Sequence, residues 1–129
     1  MGMYTEVLLK AEVKESATKV DLDVLDYMFG KRTEKPEQLP EHKFFSLPRW
    51  DCIGKTNSFY HIPGVSNFVF KEKGYNSYYI FSRSDIKNYD GEVEAFFDWA
   101  KTVLTPATGK VLGWSWYEED DQPTLILVD

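Results

Sequence analysis

Hydrophobic and polar residues alternate over residues 4–14, and this period of two predicts a half-buried first strand. The apolar positions of this strand are Val7, Leu9, Ala11 and Val13. Apolar residues then recur at helical spacing, which predicts a helix near residues 19–29. Thr18 and Asp21 stand three residues apart at its start, a pattern typical of a capped helix, and Gly30 fits a left-handed position after its last turn.

The clearest helical pattern in the chain predicts a second helix at residues 92–104. Asp90 is the predicted N-cap, and Glu92 and Glu94 in the first turn suit the positive end of the helix dipole. The wide apolar stripe of this helix consists of Val93, Phe96, Phe97, Ala100, Val103 and Leu104. A stripe of this width predicts that the helix packs on a hydrophobic core.

Shorter apolar runs predict the remaining strands. The run "FFSL" predicts a short strand at residues 44–47, whereas residues 49–67 show no regular pattern. The runs "NFVFK" and "NSYYIFSR" flank "EKGY" at residues 72–75, which predicts a hairpin. A final hairpin is predicted at residues 110–129, with an acidic turn at its tip. Its first strand places three residues on one face, namely Leu112, Trp114 and Trp116.

Together these elements predict one α+β domain over residues 1–129. The expected sheet is antiparallel or mixed, carries both helices on one face, and is built from two halves with a β-α-β-β order. Two helices cover one face of such a sheet and leave the other partly open, or closed by another subunit. Because 16% of the residues are aromatic, we expect a homo-oligomer, most simply a twofold dimer.

Charge and composition exclude several classes of function. The net charge is −6 and no basic face is visible, so binding to duplex nucleic acid is not expected. No apolar run approaches the roughly 20 residues that span a membrane. The single cysteine, Cys52, excludes an internal disulfide and fits a reducing cytoplasm.

The sequence contains no convincing catalytic set. Cys52 and His61 are the nearest thiol and imidazole. No glycine-rich elbow or helix start that would activate the thiol follows Cys52, so we interpret this cysteine as a small buried hydrophobic residue. Two histidines about twenty residues apart and one cysteine do not form a usual metal-ligand set, and no phosphate-binding loop is present. We therefore predict a non-catalytic protein without a metal or another cofactor.

Binding residues are predicted around the turn that precedes the second helix. Arg83 would end a strand, and Lys87 and Tyr89 would follow in the turn, so two cationic groups and a stacking ring suit an anionic aromatic ligand such as a nucleotide. Trp99, on the flank of the helix stripe, would add a second ring. The alternative is a purely structural turn, in which Asp90 caps the helix and Arg83 pairs with a nearby carboxylate.

The stretches "SRSDIKNYDGEVEAFFDWAKT" and "GWSWYEEDDQPTL", with the opening "MYTEVLLKAEVKESATKVDLDVLDYMFG", resemble small uncharacterised accessory proteins of bacteriophages and prophages. The resemblance spans most of the chain but carries no catalytic signature. It implies a protein of the bacterial host's cytoplasm that antagonises host defence. We expect it to sequester a nucleotide-type signal ligand; the alternatives are an inhibitor that binds a host defence protein through an acidic and aromatic surface, and an enzyme acting on a nucleotide.

Overall fold

The computed structural model describes residues 3–56, 63–71 and 77–129, and within them an antiparallel sheet of six strands packs against two α-helices. This arrangement confirms the α+β prediction. In chain order the elements are β1 (Thr5–Val13), α1 (Lys19–Phe29), β2 (Val65–Lys71), β3 (Ser77–Ile86), α2 (Glu92–Val103), β4 (Leu104–Pro106), β5 (Val111–Tyr117) and β6 (Thr124–Leu127). Neither of these helices combines the length and the apolar character needed to cross a membrane.

Strand β1 forms the centre of the sheet. The strand order is β2-β3-β1-β5-β6, and β3 pairs with β1 over residues 5–12. On the other side, β5 pairs with residues 5–9 of β1, and the short β4 pairs with residues 11–13. The hairpin of β2 and β3 is confirmed as an antiparallel pair, although its predicted turn at residues 72–75 lies outside the described residues.

The alternation in β1 separates the two faces of the sheet. The odd-numbered residues Val7, Leu9, Ala11 and Val13 are buried under the helices, as the pattern predicts. Helix α2 adds its apolar stripe to the same core, including Phe96 and Phe97, and α1 adds Leu25 and Phe29. The even-numbered residues of β1 point to the other face, which carries no helix; we call this the open face.

The predicted strand at residues 44–47 is wrong, because residues Lys43–Ser46 form a 3₁₀ turn. Phe44 and Phe45 are both buried. A strand would send these adjacent side chains to opposite sides, whereas a helical turn points both rings inward. Their rings pack against Trp99 of α2, at centroid distances of 6.2 Å and 4.8 Å.

Two smaller predictions also require correction. Gly30 has a φ of −102°, so it does not occupy a left-handed position; a Cβ atom there would instead lie 2.8 Å from the carbonyl oxygen of Asp26. A bulge at Leu112 shifts the pairing of β5 with β6 and turns that side chain into the core. Trp114 and Trp116 therefore lie on the open face, and Leu112 does not share it.

Candidate functional site

The strand register defines what the open face presents. One row crosses five strands and consists of Val65, Arg83, Leu8, Trp114 and Leu125. The adjacent row, toward the start of β1, contains Asp85, Glu6 and Trp116. The charged side chains of these two rows are thus grouped where β1 pairs with β3.

Arg83 is the centre of an ion cluster between β1 and β3. Its Nε donates to Oε2 of Glu6 at 2.7 Å, and its Nη1 and Nη2 donate to the two carboxylate oxygens of Asp85 at 3.0 Å and 3.3 Å. The side chain of Asp85 is only 2% exposed. Trp114 completes the cluster, because its indole N–H donates to Oε1 of Glu6 at 2.8 Å. Bidentate geometry and burial make such charge-assisted bonds strong.

This cluster forms the floor of a cavity of about 280 Å³ that opens on the sheet face. The residues that line it are Tyr4, Glu6, Arg83, Asp85, Trp116, Glu118 and Asp120. We call this cavity the acidic pocket, because among the residues that the structure describes four carboxylates and one guanidinium line it. Its electrostatic field therefore favours a positively charged occupant.

The rim of the acidic pocket is held by hydrogen bonds between the two chain segments that form it. The backbone N–H of Tyr4 donates to the Glu118 carboxylate, and the N–H of Glu118 donates to the Tyr4 carbonyl at 3.1 Å. The indole N–H of Trp116 donates to the Asp120 carbonyl at 2.9 Å. These bonds hold the Trp116 ring and the Glu118 carboxylate in place and tie the backbone of Tyr4 and Asp120 to them.

Two of the predicted ligand residues come together, and a third lies nearby. The Lys87 ammonium lies 5.9 Å from the Tyr89 ring and 5.8 Å from the Tyr4 ring, which places it beside the acidic pocket. Arg83 lines that pocket, but it lies within β3, not at its end, because the strand continues to Ile86. The predicted position of Arg83 is therefore wrong by three residues.

Trp99 is separated from these residues. It is buried in the helical layer, where its ring stacks on Phe44 and packs edge-on against Phe45. The helical layer and the acidic pocket lie on opposite faces of the sheet. The structure therefore does not bring Trp99 to the same site as Arg83.

The start of α2 is also built differently from the prediction. Helix α2 begins at Glu92 after Gly91, and Asp90 has a left-handed φ of 60° with no capping bond. Asn88 supplies the acceptor instead, because its Oδ1 receives the N–H of Val93 at 2.8 Å. The predicted N-cap at Asp90 is wrong because the chain makes a left-handed turn through this position.

The first residue of α2 carries a buried charge. Glu92 is buried, accepts the N–H of Tyr89 at 2.9 Å and forms a salt bridge with Arg49. This bond raises the pKa of Arg49. The Arg49 guanidinium lies 4.6 Å from the centre of the Tyr89 ring. The positive charge of Arg49 beside the turn is thus already matched by the carboxylate of Glu92.

The described residues give little support to thiol or metal chemistry. Burial, and then the adjacent Asp51 carboxylate, raise the pKa of Cys52, so the thiol stays protonated at neutral pH. His61, the imidazole considered as a base for the Cys52 thiol, lies outside the described residues. In the part of the chain that the structure describes, no group of three or more His, Cys, Asp or Glu side chains is placed to hold a metal ion.

Sequence reasoning missed most of the acidic pocket. The alternation of the first strand predicts only that Glu6 lies on its polar side, and the hairpin pattern predicts only that the residues near 120 form an acidic turn. The polar alternation of β1 was the available signal, but which residues face Glu6 depends on the strand register. Comparisons of the chain with protein-family models, with curated proteins and with solved structures find no match.

Proposed function

We propose that this chain is a non-catalytic binding protein that holds a positively charged segment of a protein partner in the acidic pocket. The observation that carries the proposal is the composition of the described lining of the pocket, in which four carboxylates and one guanidinium occur together with the aromatic residues Tyr4 and Trp116. A lysine or arginine side chain would gain charge-assisted hydrogen bonds from such carboxylates and cation–π contact with the rings. Following the resemblance to phage accessory proteins, we propose that the partner is a host defence protein.

The size of the acidic pocket supports a side chain over a larger ligand. Its volume of about 280 Å³ lies just below the roughly 300–1,000 Å³ of pockets that enclose drug-sized molecules. An arginine or lysine side chain could enter while the rest of the partner contacts the exposed apolar residues of the neighbouring row, Val65 and Leu125. This combination of a central anchor and a surrounding apolar area is typical of protein interfaces.

Sequestration of a nucleotide-type signal is less well supported. Lys87 and Tyr89 lie together, as that function requires, but Glu92 already neutralises Arg49 beside them. Arg83 already pairs with two of the carboxylates that line the acidic pocket, those of Glu6 and Asp85, but the phosphates of a nucleotide would still meet those of Glu118 and Asp120. Like charges oppose binding, so the geometry favours a cationic partner over an anionic one.

The proposal is tested by calorimetric titration with a hexa-arginine peptide, using two charge-matched double variants. Glu118→Gln with Asp120→Asn removes two carboxylates from the pocket. Glu119→Gln with Asp121→Asn removes two from the same turn outside it. Both variants change the net charge from −6 to −4. We expect the pocket variant to bind at least about tenfold more weakly, because each charge-assisted bond contributes about 1.5–3 kcal/mol, and the control to bind nearly as well as the unmodified protein.

Equal weakening in both variants would show that the peptide responds to overall charge, and the pocket assignment would then be wrong. A thermal-shift screen with cyclic dinucleotides and nucleoside triphosphates tests the competing function. A ligand at about 100 times its Kd should stabilise the fold by roughly 2.7 kcal/mol. Such stabilisation by a nucleotide, without binding of hexa-arginine, would favour sequestration of a nucleotide over binding of a cationic partner. A host protein retained by the unmodified chain and the control, but not by the pocket variant, would identify the partner.

A further inference from the structure

We infer that a second copy of this chain packs on the open face, sheet against sheet, and forms a twofold dimer. This inference is independent of the acidic pocket and concerns the other end of the face. Two large apolar side chains are exposed there on neighbouring strands, Phe81 at 43% and Val69 at 39%. Exposed apolar side chains grouped within a polar surround are a feature of interaction sites.

The charges on this part of the face indicate that the occupant is a second copy. Two neighbouring rows of the sheet cross β2, β3 and β1. The first contains Asn67, Phe81 and Lys10, and the second contains Val69, Tyr79 and Glu12. Each row holds one aromatic residue, and the two rows carry opposite charges. A surface with this pattern is complementary to itself when the two rows are exchanged.

The exchange is performed by a twofold axis that lies between the two packed sheets, runs perpendicular to β1 and passes midway between these rows. Lys10 of each copy then faces Glu12 of the other, and Phe81 of each copy faces Tyr79 of the other. Two sheets packed about 10 Å apart interdigitate side chains of this size. The dimer would thus contain two equivalent ion pairs beside two aromatic contacts.

The same axis keeps strand β1 of the second copy away from Glu6. Glu6 lies five positions from the axis along β1, and the equivalent distance on the other side of the axis passes the end of β1 at Val13. Along β3, the axis sets Ser77 of the second copy opposite Arg83, so the dimer contact extends to the edge of the acidic pocket.

Light scattering coupled to size-exclusion chromatography, at micromolar concentration, tests this inference. We expect the unmodified protein to have a mass of about 30 kDa, twice that of the 15.0 kDa chain. Phe81→Glu should reduce the mass to that of one chain, because it places two buried carboxylates in the contact. Gln38→Glu, an equal charge change in the exposed loop after α1, should leave the dimer intact.

A charge exchange tests the position of the axis. Lys10→Glu alone should weaken the dimer, because it sets like charges against each other, and Lys10→Glu with Glu12→Lys should restore it. Circular dichroism verifies that each variant is folded, and Val69→Glu in the second row replaces any variant that is not. A monomeric unmodified protein, or a dimer unaffected by both Phe81→Glu and Val69→Glu, would overturn the inference. A dimer that Lys10→Glu weakens but that Lys10→Glu with Glu12→Lys does not restore would overturn the proposed axis.

Discussion

Replacing Arg83 by methionine would leave Glu6 and Asp85 side by side on the sheet without the guanidinium that bridges them. Asp85 is almost fully buried, and Glu6 is partly buried on the neighbouring strand. Removing one partner from a buried ion pair typically costs about 3–5 kcal/mol, because the remaining charge has lost its compensation. Since Glu6 can still reach solvent, we expect a loss near the lower limit, about 3 kcal/mol.

Urea unfolding followed by tryptophan fluorescence measures this loss. For a small protein, the free energy of unfolding falls by about 1–3 kcal/mol per molar urea, so a loss of about 3 kcal/mol should lower the unfolding midpoint by at least about 1 M. Arg83→Lys should give an intermediate result. It keeps the positive charge but loses the planar fork that bonds two carboxylates at once.

A triple variant separates lost packing from uncompensated charge. Adding Glu6→Gln and Asp85→Asn to Arg83→Met removes the charges while keeping the side-chain sizes. We expect this variant to recover about half or more of the loss, because the neutral groups need no cation. The reasoning would be refuted by a loss below about 1 kcal/mol for Arg83→Met, or by a triple variant less stable than the single one.

Two further predictions concern the turn before α2 and the cysteine. Asn88→Ala should lower the free energy of unfolding by about 0.5–2 kcal/mol, because the N–H of Val93 loses its acceptor. Asp90→Gly should leave the free energy of unfolding unchanged or raise it, because glycine adopts a φ of 60° without strain. Equal losses for the two variants in urea unfolding would contradict the assignment of Asn88 as the capping residue. Cys52 should react with iodoacetamide at pH 8 more slowly in the folded protein than in urea, because its raised pKa lowers the thiolate fraction. The difference between the two rates should narrow as the pH rises through the folded-state pKa. A faster reaction in the folded protein would contradict the raised pKa.

Local sequence patterns were sufficient where burial follows a simple period. The alternation in β1 predicted its buried residues, and the stripe of α2 predicted a core that includes Phe96 and Phe97. Thr18 and Asp21 predicted the capping box, because both groups of that motif lie within four residues. In each case the interacting groups are close in sequence, so their spacing contains the necessary information.

Predictions failed where a distant part of the chain determined the local structure. The pair Phe44 and Phe45 fits a strand by composition, but Trp99 and the core require both rings on one side. The bulge at Leu112 and the left-handed turn at Asp90 likewise have no period that a sequence pattern reveals. Backbone geometry at these positions responds to packing against other elements.

The acidic pocket is the clearest case of a feature that only the tertiary structure decided. The sequence determined that Glu6 would lie on the polar side of the first strand and that residues near 120 would form an acidic turn. Placing them around Arg83 required the pairing of β1 with both β3 and β5, over separations of 77 and 108 residues. A shift of one residue in the pairing of β1 with β3 or with β5 would place Glu6 on the opposite face of the sheet from its partners Arg83 or Trp114, because successive residues of a strand point to opposite sides.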